Sequence, residues 1–112
     1  QIETNIAALK PGLTFRDVSE RCWKIPEEFL SNRYSVLIHG VGLADEYPSI
    51  KHWVDFDDKG YDGEVLPGMT LCVESFIGSD GGREGIKLEE QVIVTGTGVE
   101  RMSIYPYQID WL

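Results

Sequence analysis

The chain is short of cysteine, of histidine and of positive charge, and each shortage narrows what it can be. Its two cysteines, Cys22 and Cys72, form no CxxC pair, which excludes a zinc knuckle and argues against a disulfide framework. Free buried thiols are the expectation. Lys and Arg number 10 against 19 Asp and Glu, and the formal net charge of -9 repels phosphate backbones, so nucleic acid is not an expected partner. No stretch approaches the ~18 to 20 consecutive apolar residues of a membrane span, and no basic start followed by an apolar run marks a secretory leader. A soluble, cytoplasmic protein without a membrane partner is expected. Repeats, low-complexity tracts and linkers are lacking as well, so the 112 residues read as one unit. The chain opens at Gln1 in what reads as the end of a helix, which suggests a C-terminal portion of a larger domain.

What is present begins with that helix, residues 2–10, stopped by Pro11-Gly12. Thr14 followed by Asp17 resembles a capping box that opens a second helix, and Phe15, Val18, Cys22 and Ile25 recur at helical spacing as a face for packing on a sheet. Pro26-Glu27-Glu28 starts a short helical segment, with acids near the positive end of its dipole. Residues 34–39 read as a strand that ends at His39 and runs into Gly40-Val41-Gly42, where missing side chains let the backbone bend or come close to a ligand. Residues 43–63 are acidic and aromatic and read as a long loop. Its Asp55, Asp57 and Asp58 lack the glycine and glutamate register of a calcium-binding EF-hand, and solvated turn positions are expected for them. The tail carries Ile104, Tyr105, Tyr107 and Trp111, which suit covering a core or a subunit contact.

The chemistry concentrates in three residues. Glu74 interrupts the apolar stretch 69–77 and Glu89 interrupts 85–94, both of which read as strands. Between them Gly78, Gly81, Gly82 and Gly85 let the chain double back as a hairpin. With Gly81-Gly82 as the tip, Leu71 faces Val92, Ile77 faces Ile86, and Glu74 faces Glu89. Like charges so opposed destabilise a strand pair unless a cation lies between them. Taken singly, these are ordinary surface glutamates and a hydrogen-bonded core histidine. Taken together, His39, Glu74 and Glu89 offer imidazole nitrogen and carboxylate oxygen to a mononuclear or dinuclear site for Zn, Mn, Fe or Co.

Three stretches carry a family resemblance: His39-Gly40-Val41-Gly42, the run from Leu66-Pro67-Gly68-Met69 to Glu74, and Gly85-Ile86-Lys87-Leu88-Glu89-Glu90 continuing to Thr95. In this order they resemble the C-terminal half of the pita-bread superfamily, which contains creatinase, methionine aminopeptidase, prolidase and Xaa-Pro aminopeptidase. The resemblance implies an α+β fold in which helices flank a curved antiparallel sheet. Residues 1–112 would form the C-terminal portion of a single catalytic domain, usually homodimeric. It also implies a two-ion divalent metal centre of two aspartates, a histidine and two glutamates. The last three correspond to His39, Glu74 and Glu89, while the two aspartates would lie before Gln1. The segment alone would then be inactive.

Peptidases of this superfamily usually carry a second histidine about seven residues after the first, in a pattern like HGxGxxxHExP. Here Glu46 stands at that position, and an acid ionised near its ordinary ~4.3 cannot donate to a carbonyl oxygen at neutral pH. Leu43-Ala44-Asp45-Glu46-Tyr47-Pro48, Asn32-Arg33-Tyr34 and the spacing of the three ligand positions are similar to the dimethylsulfoniopropionate (DMSP) lyases built on this fold. That likeness implies iron, with Mn, Zn and Co as alternatives. It further implies a small-molecule substrate cleaved to dimethyl sulfide and acrylate, with Asp45 as the base and Tyr34 in contact with substrate. Burial and the neighbouring Glu46 would raise the Asp45 pKa, and Tyr34, Tyr47 or Trp53 could face the sulfonium through their rings. A metallopeptidase using another residue, and a non-catalytic module on the same scaffold, are the alternatives.

Overall fold

The computed structural model describes residues 1–111, without the side chain of Trp111. Helix α1 covers Ile2–Ala8 and α2 covers Phe15–Arg21. The capping box at α2 is formed. Thr14 Oγ1 accepts from the Asp17 backbone N–H at 3.0 Å, and the Asp17 carboxylate accepts from the Thr14 N–H at 3.0 Å. Phe15, Val18 and Cys22 are buried as their spacing predicts. The helix nevertheless stops at Arg21, because buried Asn5 captures the Trp23 N–H at 2.8 Å and Cys22 turns extended. Ile25 therefore reaches the core from the connecting segment, not from a helical face. Pro26 then caps the one-turn helix α3, Glu27–Leu30.

Five antiparallel strands follow: β1 Ile38–Gly40, β2 Ser49–Ile50, β3 Thr70–Gly78, β4 Gly85–Val94 and β5 Val99–Arg101, ordered β2-β1-β3-β4-β5. The β3–β4 hairpin turns where its glycines allow, with Gly81 at φ 67°, and its register matches the sequence expectation at Leu71–Val92, Ile77–Ile86 and Glu74–Glu89. The strand expected over 34–39 is shorter than its composition suggests. Its partner β2 supplies only two residues, so regular pairing begins at Ile38, although Leu37 still donates to the Ile50 carbonyl and accepts from the Glu74 N–H.

Residues 43–63 are not the plain loop expected. They contain β2 and a short helix α4, Phe56–Lys59, anchored by the buried Phe56 ring with the Arg16 guanidinium 4.5 Å above it. Asp55 corrects the expectation of solvated aspartates. It is buried, and the Arg33 fork holds both its oxygens, Nε to Oδ2 at 2.7 Å and Nη2 to Oδ1 at 2.6 Å. Asp57 and Asp58 remain exposed.

The core lies between the helices and one sheet face, where Ile38, Ile50, Leu71, Val73, Val92 and Val94 meet Ile2, Leu9, Phe15 and Val18. In the tail, Tyr107 packs on this core and its hydroxyl donates to Glu90 at 3.3 Å. Ile104 and Tyr105 stay exposed and cover no core, and the role expected of the Trp111 side chain lies outside the described residues. No described helix is long and apolar enough to cross a membrane.

Candidate metal centre

Strand pairing brings the three sequence-predicted ligands to one sheet face. Side chains alternate along a strand, so on β3 the residues Cys72, Glu74 and Phe76 point away from the helix-covered core formed by Leu71 and Val73. His39 is registered against Cys72 in β1, and Glu89 against Glu74 in β4, which places imidazole and both carboxylates on that same face. For His39 this alignment depends on the β1–β3 pairing, between strands that are not consecutive in sequence.

The histidine is oriented by its backbone. His39 Nδ1 lies 2.9 Å from the Gly40 carbonyl, which can only accept, so the tautomer with the proton on Nδ1 leaves the Nε2 lone pair facing outward from the strand end. Nε2 lies 3.0 Å from Glu74 Oε1. A lone pair facing a carboxylate needs a positive charge between them, supplied by a proton on the ring or by a shared metal ion. Gly40 makes the strand end fit here: a methyl group on it would collide with the Tyr47 carbonyl. The close approach required of this glycine is thus to the chain's own backbone. Gly42, by contrast, has open space around it.

Glu74 is buried, whereas the Glu89 side chain is 43% exposed. Glu89 touches Cys72, whose Sγ lies 3.6 Å from Oε2. Both thiols are free and buried, as expected, and burial pushes the Cys72 thiol up to about 12, with the negative Glu89 adding to the shift. In the absence of a metal it is a protonated neighbour of the glutamate.

Sequence reasoning missed Lys87. Its Nζ lies 3.0 Å from Glu74 Oε2, 2.7 Å from Glu89 Oε1 and 4.0 Å above the Tyr34 ring. The contact to Glu74 Oε2 is an ion-pair distance without hydrogen-bond angles, so among the described residues this buried oxygen has a neighbouring charge but no directed donor. The two carboxylates, Glu89 foremost, hold the lysine above its ordinary value, and Lys87 in turn holds Glu89 below the usual carboxylate range. The signal for it was available: Lys87 stands two residues before Glu89 in a strand and must share its face. With the ammonium group between the glutamates, no three donors among the described residues close into a ready-made cage.

Of the proposed substrate-side residues, Tyr34 adjoins the cluster through Lys87. Asp45 does not touch it. It sits exposed at φ 56° in the turn bridged by Gly42 and Asp45, beside an equally exposed Glu46, so the burial expected around it is absent among the described residues. Tyr47 stacks on Tyr61 at 5.9 Å, and Trp53 already carries Lys24 at 4.6 Å over its ring. The other histidine of the chain, His52, is buried against Trp53, and burial lowers its pKa to about 4 despite the opposing charge of Asp55.

Comparison with known proteins places these features in context. The model of metallopeptidase family M24 matches residues 2–96. Over 106 residues, 95% of the chain, it is 44% identical to dimethylsulfoniopropionate lyase DddP of Roseovarius nubinhibens and 41% identical to that of Roseobacter denitrificans. The chain spans 24% of the length of each of these relatives. Among solved structures, the prolidase from Pyrococcus furiosus superposes with a TM-score of 0.69 at 25% identity, over 94% of this chain and 30% of that one.

Proposed function

Starting from a chain that belongs to metallopeptidase family M24, within the pita-bread superfamily, we propose that it supplies the His39, Glu74 and Glu89 side of the metal centre of a DMSP lyase. The residues suit a divalent ion: one oriented imidazole nitrogen, a buried carboxylate oxygen without a directed donor, and a second carboxylate opposite. Iron is the metal suggested by the lyase likeness. When bound, it supplies Lewis acidity toward the substrate carboxylate.

The chain's own residues account for the remaining steps. Asp45 takes the proton on the carbon next to the substrate carboxylate. The C–H electrons form the acrylate double bond, and the C–S pair leaves with sulfur as dimethyl sulfide. The Tyr34 ring, which already faces one cation in Lys87, is suited to face the sulfonium.

One observation favours the lyase over the peptidase. Cleaving a peptide in this fold calls for a second imidazole, and the only one in the chain is His52, which is buried and neutral at pH 7. The turn after β1 offers the acids Asp45 and Glu46 instead. The test is dimethyl sulfide in the headspace over the full-length protein supplied with DMSP. Wild type should release it, and Asp45→Ala should lower the rate by at least about a hundredfold, as for loss of a general base. Hydrolysis of Xaa-Pro dipeptides without dimethyl sulfide release would give the peptidase reading instead.

A further inference from the structure

We propose that Lys87 is a built-in counter-cation that occupies the space between the two glutamates in the metal-free protein and has to be displaced for a divalent ion to bind. The inference rests on the reading of His39, Glu74 and Glu89 as a metal site and adds a device that sets its affinity.

The geometry points to competition. Opposed carboxylates at Glu74 and Glu89 repel across the β3–β4 pair, and Glu74 is removed from water, so the metal-free hairpin needs a positive charge at this place. Lys87 provides it, contacting one oxygen of each glutamate. A divalent ion held by the same two carboxylates would face the ammonium at close range, and like charges do not share such a site. The lysine can leave. Its side chain is 39% exposed, and its flexible stem lets the head group move to water.

Two consequences separate this from a lysine that merely decorates the strand. Removing the ammonium should destabilise the metal-free protein, because two facing acids lose their counter-charge. The same change should strengthen metal binding, because nothing has to be displaced. A lysine that supports bound metal through Glu89 would show the opposite second effect.

The experiment uses full-length protein stripped with chelator, titrated calorimetrically with Mn²⁺ alone and melted with and without it. Lys87→Met should bind Mn²⁺ about tenfold more tightly than wild type, the equivalent of two weak ion pairs no longer broken. Its metal-free melting temperature should fall by several degrees and recover when Mn²⁺ is added. Lys87→Arg, which keeps the charge, should behave like wild type in both measurements. Glu74→Gln serves as the control for the site itself. If wild type binds Mn²⁺ through Glu74 while Lys87→Met binds it equally or more weakly, the counter-cation role is overturned and the metal-site reading stands. If no variant shows binding that depends on Glu74, the metal-site reading fails and the inference with it.

Discussion

His52 shows how burial sets the behaviour of a single side chain. The ring is 1% exposed and its Nδ1 is without a hydrogen-bond partner among the described residues, so the charged form is disfavoured and the folded-state pKa falls to about 4. The unfolded value is near ~6.5, so between the two the unfolded chain binds a proton that the folded chain does not. Stability should be complete above about pH 6.5 and decline as pH falls toward 4, by on the order of 3 kcal/mol from this residue. Imidazole NMR checks it: the His52 signals should stay neutral at pH 5.5, and a titration midpoint near 6.5 would contradict the burial argument. Residue-scale legibility was uneven for a physical reason. His39 stood out because glycines follow it at a strand end. Nothing local marked His52 as buried, and Asp55 finds its partner Arg33 across 22 residues of chain.

Elements were legible where their signals are short-range. The Thr14–Asp17 box lies within one helical turn, and both reciprocal bonds are present. Thr14→Ala should lower stability by about 1 kcal/mol, read as a reduced urea midpoint with an unchanged slope, and an unaltered midpoint would show that the cap contributes nothing. The β3–β4 register could likewise be read from the glycine tip, because a hairpin fixes opposition by counting from its turn. The same logic does not reach β1. His39 and Glu74 stand 35 residues apart, and only the β1–β3 pairing brings their side chains to 3.0 Å. Strand alternation did contain Lys87 beside Glu89, but an ammonium between two acids emerges only once the face is assembled. The stretch 43–63 hid β2 and α4 because two and four residues are too few to show a period.

For the molecule as a whole, the sheet divides the labour. One face buries the core against α1 and α2, and the other presents imidazole and carboxylates. The net charge of -9 favours the approach of cations to that second face. Because the chain spans 24% of the length of the DMSP lyases it matches, the lyase proposal is tested on the full-length protein. The central claim concerns one shared ion. Anomalous diffraction from crystals of the full-length protein grown with Mn²⁺ or Fe²⁺ tests it most directly. The expected result is a peak about 2.0–2.3 Å from His39 Nε2 and from an oxygen of both Glu74 and Glu89, with Lys87 turned away. A bound ion elsewhere, with Lys87 still seated between the two glutamates, would contradict the account.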